Sequence, residues 1–526
     1  MKRSTSAIGV ICMMLFACNQ TKQGTVTHNV KNHDELVQFF KDWRKFNQAE
    51  MTDGVPDYSN AAMSKQYAEL ANWQASLNAV DTTGWSTSDR IDWTLIWAEM
   101  NGMDFEHRVT RPWERDPAFY VWFAPDLTDV PEREGPNVDG YIEYAYFDKP
   151  LSAEDAASIA ERLNKAPQVF EQAKVNLTGN ARDLWINGTK LIRAQSDDLV
   201  KFGNRVVEDY PDLAAAAVKA TEASNQFADW LDSQAAKKTG TSGVGKENYN
   251  WYLKNVHLRP YTWDDEVLLM KRELVRAHTA LRLEENRHRN DPPKKMQNAD
   301  EYDRRMNQGV DDYVQFLKDE GIFTVKDYAE PALRARIGKF SPPPESGVRG
   351  FFGEVTYYAP ISMRTHDTHW IELARRKLEP NPNPIRAAAM LHNIFAGRSE
   401  GLATAMEEMM MHAGFMKDRQ NERQLIWILA AQRAARGLGG LYQHGLEMTH
   451  DEATRFADKW TPWHLLPQDG GTIQWEEHFY LRQPAYGESY LIGKIEIDSG
   501  WRIIIEACGK NFAGDGYRQN FAASIG

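Results

Sequence analysis

The sequence is poor in the residues and motifs that define several protein classes. It has three cysteines in 526 residues, and two of them, Cys12 and Cys18, lie near the start, so a disulfide framework is excluded. No repeat of 20 to 50 residues occurs, which excludes a solenoid. The P-loop, Gly-x-Gly-x-x-Gly, Gly-x-Ser-x-Gly and paired Cys-x-x-Cys motifs are all missing. These absences argue against nucleotide-binding, serine-hydrolase and zinc-ribbon functions.

Positive charge is also in deficit. Lysine and arginine number 62 against 74 aspartates and glutamates, for a formal net charge of −12. An acidic surface repels polyanions, so we expect no nucleic-acid partner. What is abundant is apolar and aromatic side chains, at 42% and 11% of residues. A chain of this length and composition can bury a large core and is not a disordered tail.

The N-terminus is typical of an export signal. Residues 1–3 are basic, residues 7–17 form an apolar run, and the residues after Cys18 are polar. As a helix the run spans about 17 Å, too short for the ~30 Å core of a bilayer. "LFAC", which ends at Cys18, resembles the lipobox of bacterial lipoproteins. The alternative is an ordinary cleaved signal peptide.

The lipobox resemblance implies a signal peptide at residues 1–17, a lipid on Cys18 and a tether over residues 18–31. Membrane contact would then be through the lipid anchor only. Asn19 follows the cysteine, in place of the aspartate that retains many Gram-negative lipoproteins at the inner membrane. The resemblance therefore implies a cell-envelope location, at the periplasmic face of the outer membrane.

Helical periodicity dominates the rest of the chain. Apolar residues recur at spacings of three and four, and strand-like alternation is scarce. The pattern predicts a mainly α protein with few short strands. Long helices are expected over residues 152–177 and 181–236, the second broken near Pro211, and a linker over residues 237–245. A helical N-terminal part would thus end at about residue 236, and a wholly helical C-terminal part would begin at about residue 246.

The densest group of potential metal ligands is in "RTHDTHWIELARR". His366, His369 and Glu372 follow one another at steps of three, which on a helix puts them within about 120° of one another. Imidazole and carboxylate together are a ligand set that suits zinc. The alternative is a solvated helix start with incidental histidines.

Two further segments carry potential site residues. In "SEGLATAMEEMMMHAGF", Glu400 and Glu407 are seven residues apart and share a helix face, and Gly401 leaves room for a close neighbour. In "QPAYGESYLIGKIEI", Tyr490 is one of several phenols that can donate to a developing oxyanion. The alternative for the tyrosines is packing in the core.

Four segments, in this order and spacing, carry a resemblance to a known family. They are "GVGKENYNWYL", "SEGLATAMEEMMMHAGF", "QRAARGLGGLYQHGLEMTHDEA" and "QPAYGESYLIGKIEI". From about residue 32 to the end, the chain resembles the bacterial family called domain of unknown function 885, whose members are often exported lipoproteins. The resemblance implies one large helical domain similar to zinc metallopeptidases of the gluzincin type. It also implies a small peptide-like substrate or ligand.

The family pattern has a His-Glu-x-x-Pro-Gly-His-His element followed by a Glu-Gly-Trp-Ala-Leu-Tyr-Ala-Glu element. Glu400 and Glu407 match the two glutamates of the second element, but "THDTHWIEL" lacks the His-Glu-x-x-His of the first. Tyr490 matches a family tyrosine, and His444 matches the histidine of a family Asp-x-x-x-His. The resemblance makes Tyr490 and His444 catalytic candidates.

Two hypotheses follow from this comparison. In the first, His366, His369 and Glu400 bind zinc, and Asp367 or Glu372 is the general base, so that the chain hydrolyses peptide or amide bonds. In the second, the chain is a catalytically inactive pseudopeptidase that binds a peptide or another envelope partner in the same groove.

Overall fold

The computed structural model describes residues 30–131, 134–321, 324–344 and 349–508, and side chains as far as residue 500. The predicted signal peptide, the lipidation site Cys18 and nearly all of the tether lie outside the described residues. Within them the protein is mainly α with short strands, which confirms the predicted fold class.

The N-terminal part contains eight α-helices and four two-residue strands among its described residues. The helices are α1 (His33–Phe46), α2 (Asn60–Asn78), α3 (Thr87–Phe105), α4 (Pro112–Arg115), α5 (Ala153–Leu163), α6 (Ala166–Asn176), α7 (Arg182–Val206) and α8 (Pro211–Ala235). Strands β1 (Met51–Thr52) and β2 (Val55–Pro56) pair antiparallel, and β3 (Phe123–Ala124) and β4 (Ile142–Glu143) pair parallel. A π-helical turn, Glu106–Thr110, continues α3, and 3-10 turns occupy Pro117–Tyr120 and Tyr144–Tyr146.

From residue 246 onward the described chain is helical without strands. The helices are α9 (Lys246–Asn255), α10 (Trp263–Arg287), α11 (Ala299–Glu320), α12 (Ala329–Arg334), α13 (Phe351–Tyr358), α14 (Pro360–His366), α15 (Thr368–Leu378), α16 (Pro384–Ala387), α17 (Ala396–His412), α18 (Arg423–His444), α19 (His450–Trp460), α20 (Gly471–Arg482) and α21 (Ser489–Cys508). Two 3-10 turns, Gln420–Glu422 and Pro462–His464, complete this part.

Prolines and polar caps set the helix boundaries. Helix α8 begins at Pro211, where a break was predicted, because proline fits the first turn of a helix but not its interior. The expectation of one helix over residues 152–177 is wrong: α5 ends at Leu163 and α6 begins at Ala166, with Pro167 in its first turn. The Thr262 side chain accepts a hydrogen bond from the backbone N–H of Asp265 and so caps α10.

One hydrophobic core joins the two parts of the chain. Helices α1 and α3 pack with α9, α10 and α18, and Trp43 is fully buried among them. An ion pair and a hydrogen bond add to this packing. Arg44 pairs with Glu99, and its Nη2 donates to the carbonyl oxygen of Ala389 at 2.7 Å. The first helix therefore fixes a segment that lies just before α17.

Helices α17 and α21 cross with their backbones in contact. A Cβ on Gly401 would lie 2.5 Å from the carbonyl carbon of Gly493, and a Cβ on Gly493 would lie 1.9 Å from the carbonyl oxygen of Gly397. Glycine is required at this crossing because any side chain would separate the two helices. The close approach expected at Gly401 is thus present. The crossing fixes the position of Glu400, the residue before Gly401.

Across the described residues, every helix is either too short or too polar to cross a bilayer.

Candidate functional site

The two candidate histidines lie on either side of a helix break. His366 is the last residue of α14, His369 is in the first turn of α15, and Asp367 caps the junction. Both histidines are buried, and their ring centroids are 5.0 Å apart with the planes at 81°. The two imidazoles therefore remain neighbours across the break.

Glu400 joins the histidines from α17. Its Oε2 is 3.2 Å from Nε2 of His369, and its Oε1 accepts a hydrogen bond of 2.5 Å from the hydroxyl of Tyr486. Burial alone would raise the pKa of Glu400, but the hydrogen bonds and charge of its neighbours His369 and Tyr486 bring that pKa down to about 2. Glu400 is therefore a charged carboxylate in a buried site.

Glu407 lies two turns further along α17 and supports His366. Its carboxylate accepts two hydrogen bonds of 2.7 Å from the guanidinium of Arg433. Nδ1 of His366 is 3.1 Å from Oε1 of Glu407 and 3.2 Å from Nη2 of Arg433. Burial raises the pKa of Glu407, yet the charge of Arg433 and the contact with His366 lower it overall. Glu407 is thus in the position of a residue that orients a metal-binding histidine through its second nitrogen.

Two acidic residues of the N-terminal part reach the same site. Asp129, His366 and His369 each offer one ligand atom, and these atoms all lie within 4.8 Å of one another. Oε1 of Glu134 is 3.4 Å from the hydroxyl of Tyr486. Burial, together with the charges of Asp129 and the glutamate on α17, raises the pKa of Glu134 to about 8. Glu134 is therefore protonated at neutral pH.

The sequence reasoning missed Asp129 and Glu134. They lie in the segment between β3 and β4, more than two hundred residues before His366. The local sequence, "PDLTDVPEREG", has the proline and acidic residues of an ordinary surface loop. No spacing within the chain signals that this loop meets α14 and α15.

A buried arginine and a tyrosine border the carboxylates. Arg436, 1% exposed in its side chain, pairs with Glu476, and its guanidinium lies 4.4 Å from the ring centroid of Tyr490. Its Nε and Nη2 have no hydrogen-bond partner among the described residues. Burial and the nearby Glu400 raise the pKa of Tyr490 well above its ordinary value, so the phenol keeps its proton. Arg436 therefore has unused donors, and its charge interacts with that of Glu400.

The two predicted general bases have other partners. Glu372 accepts hydrogen bonds of 2.8 Å at each carboxylate oxygen from Arg375, and Arg398 lies 3.4 Å away. Burial opposes these arginines, but together they lower the pKa of Glu372. Asp367 lies between the two histidines in the chain and pairs with Arg364 at 2.8 Å. Burial raises the pKa of Asp367.

His444, another predicted catalytic residue, has structural partners. It ends α18, its Nε2 is 3.0 Å from the carbonyl oxygen of Tyr480, and its ring centroid is 5.6 Å from that of Tyr249. Burial lowers the pKa of His444 to about 4. The structure brings together His366, His369, Glu400 and, at the border, Tyr490. The contacts of His444 join α18 to α9 and α20 instead.

The buried position of His444 predicts a specific pH dependence of stability. Between pH 7 and pH 5 the unfolded state protonates this ring, at a pKa of 6.5, whereas the folded state does not, because its pKa is about 4. Stability is therefore lost as the pH falls, by about 2 kcal/mol for this one group. His444→Gln keeps a donor for the Tyr480 carbonyl and cannot titrate. Between pH 7 and pH 5, its unfolding free energy, measured in urea, should therefore fall by about 2 kcal/mol less than that of the wild type.

The matched control is His412→Gln, since the His412 side chain is 58% exposed. The unfolding free energy of this control should change with pH as that of the wild type does. An equal fall in wild type and His444→Gln would contradict the prediction and would mean that the His444 ring takes up a proton in the folded state.

A second group of possible ligands lies on the N-terminal helices. His33, Asp89 and Asp92 offer ligand atoms within 4.8 Å of one another. Asp92 is already engaged: it pairs with Arg386 at 2.8 Å and accepts a hydrogen bond of 2.6 Å from Asn383. The arginine supplies the positive charge that a metal would otherwise bring, so this group is an ion-pair network between α3 and α16.

Two solved structures have a similar fold. A "putative lipoprotein of unknown function" from Shewanella oneidensis superposes with a TM-score of 0.66 at 15% identity, over 92% of this chain and 95% of its own. A "putative lipoprotein" from Colwellia psychrerythraea superposes with a TM-score of 0.62 at 10% identity, over 90% and 93%. At such identities the likeness shows the fold alone. No curated protein matches the chain.

A family comparison gives the relationship at the level of sequence. Residues 45–325 match the family described as "Bacterial protein of unknown function (DUF885)". The match spans more than half of the 526 residues and ends before His366. The chain therefore belongs to the DUF885 family of bacterial proteins.

Proposed function

We propose that the protein is an exported, lipid-anchored hydrolase of peptide or amide bonds that uses a metal ion, most suitably zinc. The observation that carries this proposal is the convergence of His366, His369 and Asp129, with Glu400 in contact with His369. Two imidazoles and one carboxylate form a ligand set typical of catalytic zinc, which keeps its fourth position for water.

The distances between these groups suit zinc. Ligand atoms at about 2.0–2.1 Å from a tetrahedral ion are about 3.3 Å from one another. Nε2 of His369 and Oε2 of Glu400 are 3.2 Å apart. The ligand atoms of Asp129, His366 and His369 lie within 4.8 Å of one another, so side-chain rotation can bring them to the zinc spacing. His366 also has the carboxylate partner on Nδ1 that metal-binding histidines usually have. His366, His369 and one carboxylate, Glu400 or Asp129, would thus hold the ion and leave its fourth position to water.

The surrounding residues are suited to amide hydrolysis. A bound zinc would supply a Lewis acid and a water of lowered pKa. Glu134, protonated at neutral pH, can donate a proton to a leaving amine. The unused guanidinium donors of Arg436 and the phenol of Tyr490 can donate hydrogen bonds to the substrate carbonyl oxygen as negative charge develops there. Either Asp367 or Glu372 would be the general base that takes a proton from this water. Asp367 is the nearer of the two to both histidines in the chain.

The proposed location is the periplasmic face of the outer membrane. Its support is the lipobox-like "LFAC" that ends at Cys18, and the description of both structural neighbours as putative lipoproteins. The lipid on Cys18 would be the sole membrane contact, and the substrate would be a small peptide-like molecule of the envelope.

Metal content is the measurement that tests the proposal. The protein from Asn19 onward is purified without chelators or added metal and analysed by mass spectrometry. About one zinc per chain is expected in the wild type, with at least a tenfold loss in the His366→Ala/His369→Ala double variant. Exposed His412→Ala is the matched control and should keep its metal. A screen of short peptides should detect cleavage by the wild type that the double variant lacks. Equal metal content in the wild type and the double variant, or no cleavage by the zinc-loaded protein, would contradict the proposal.

A second candidate is a pseudopeptidase that binds a peptide or envelope partner. The observation that favours it is the neutralisation of two carboxylates by arginine, Glu372 by Arg375 and Glu407 by Arg433. An arginine-paired carboxylate is a poor proton acceptor. Under this function the wild type would carry no zinc, and peptides would bind without being cleaved.

A further inference from the structure

A separate cavity lies between the N-terminal helices, the β3–β4 loop and the C-terminal part of the chain. Its volume is about 120 Å³. It is lined by the end of α3 and by residues 135–137, 139, 391–393 and 482–484. The cavity is half-open, so a group of a ligand can enter from solvent while the remainder stays at the mouth.

Unusual backbone conformations are concentrated at this cavity. The π-helical turn Glu106–Thr110 lies in its wall, and π-turns of this kind are frequent at functional sites. His392 and Asn393, also in the wall, both have φ of 56°, a left-handed conformation that costs energy in residues other than glycine. His392 packs against Gly102, where a Cβ would lie 2.2 Å from its ring. The fold thus maintains strain at this position.

Two buried amide side chains leave one donor and one acceptor unused here. Asn393 donates through Nδ2 to Oε1 of Gln483 at 2.6 Å, and the backbone N–H of Gly135 donates to the same oxygen at 2.8 Å. Asn393 and Gln483 are 5% and 3% exposed. Oδ1 of Asn393 and Nε2 of Gln483 have no hydrogen-bond partner within the part of the chain that the structure describes. Unpaired buried polar atoms are costly, so a ligand that pairs both is stabilising.

Two charged side chains of the wall already have partners. Asp139 accepts hydrogen bonds from the hydroxyl of Tyr58 at 2.9 Å and from the backbone of Ala49 at 2.8 Å. Arg482 pairs with Asp116 at 2.6 Å. The remaining wall includes aromatic side chains, among them Tyr58, Trp113, Phe119 and Tyr252. Such a wall favours a group that has polar atoms beside an apolar part.

We propose that this cavity is a binding site for an uncharged, amide-bearing group of an envelope molecule. The carbonyl oxygen of the ligand amide accepts from Nε2 of Gln483, and its N–H donates to Oδ1 of Asn393. An amide carries both a donor and an acceptor, so it offers a partner to each of these two atoms. A peptide and an N-acetylated amino sugar both carry that group. The site is independent of the proposed hydrolysis, because none of its residues belongs to the candidate metal ligands.

The test uses two probes with matched controls, measured by titration calorimetry on the protein from Asn19 onward. N-acetylglucosamine is compared with glucose, and N-acetylglycinamide is compared with glycerol. Binding of at least one amide probe is expected, at least tenfold tighter than its control. Binding of the sugar alone identifies an amino sugar, binding of the other alone identifies a peptide, and both outcomes support the proposal. Absence of binding, or equal binding of amide and control, would overturn it.

Two variants locate the bound probe. Gln483→Glu keeps the oxygen that accepts from Gly135 and removes the donor, so the amide probe should bind about tenfold more weakly. Ala49→Leu adds bulk in the wall and should weaken binding at least as much, whereas exposed Ala61→Leu on α2 should not. Wild-type affinity in both cavity variants would overturn the proposal. The His366→Ala/His369→Ala variant should bind the probe as the wild type does, so loss of the proposed hydrolysis leaves this result unaffected.

Discussion

Gly493→Ala is expected to reduce the unfolding free energy by about 3 kcal/mol or more and to reduce metal binding as well. The new Cβ would lie 1.9 Å from the carbonyl oxygen of Gly397 and 2.9 Å from Cα of Gly401. Both contacts are with backbone, which cannot rotate away as a side chain can, so α17 and α21 must separate. Because Glu400 precedes Gly401 on α17, the separation also moves a candidate ligand away from His369.

The same helix provides the control. Gly500 is also in α21, and a Cβ there meets no atom within 4 Å. Gly500→Ala should therefore raise stability by about 0.5–1 kcal/mol, because alanine is the better helix former. Urea unfolding of both variants measures the contrast. Similar stability of Gly493→Ala and Gly500→Ala would show that the two helices are not in backbone contact in solution.

Arg433→Met is expected to cost about 3–5 kcal/mol of stability, and the further change Glu407→Leu should restore most of the loss. Arg433 and Glu407 are 0% and 3% exposed in their side chains and share two hydrogen bonds of 2.7 Å. Removal of the arginine alone leaves a buried carboxylate without its counter-charge. Removal of both leaves an apolar contact of similar volume, in which no charge is buried.

The double variant also tests how His366 is oriented. In the wild type, Nδ1 of His366 contacts both Glu407 and Arg433. A stable double variant should therefore bind zinc at least tenfold more weakly, since outer partners of ligand histidines typically contribute that much to affinity. Urea unfolding gives the stability, and competition with a chromogenic chelator gives the zinc affinity. Unchanged affinity in the double variant would mean that Glu407 does not orient the His366 ring for zinc.

Helices could be predicted well from the sequence because their signals are local. The periodicity of α17 predicts both the helix and the shared face of Glu400 and Glu407, and the structure has both residues buried on it. Pro211 starts α8 as expected, since a proline effect depends only on its neighbours. The split between α5 and α6 was not predicted, although Pro167 is in the sequence. Proline is tolerated at more than one position in the first turn of a helix, so its position alone does not fix the residue at which the helix begins.

The site was only partly predictable because it depends on distant segments. His366 and His369 could be chosen by residue type and spacing, but they were expected on one helix and instead flank a break at Asp367. Asp129 and Glu134 come from a loop in the other part of the chain, and a single sequence carries no signal of such a contact. Glu372 fits the helical spacing equally well, yet the structure directs its carboxylate to arginines of α15 and α17. Partner choice is a tertiary property that periodicity does not encode.

The bond between Arg44 and the carbonyl of Ala389 has a consequence for the order of events during synthesis. Residues 345 positions apart meet there, so α1 cannot complete its packing until most of the chain has left the ribosome. Contacts of such long range slow folding, because a large loop must close before any of them forms. A nascent chain would therefore remain incompletely folded for much of its synthesis. A chain in that state can pass through a narrow translocation channel. A ribosome-stalled chain that ends before Ala389 should remain sensitive to protease along α1.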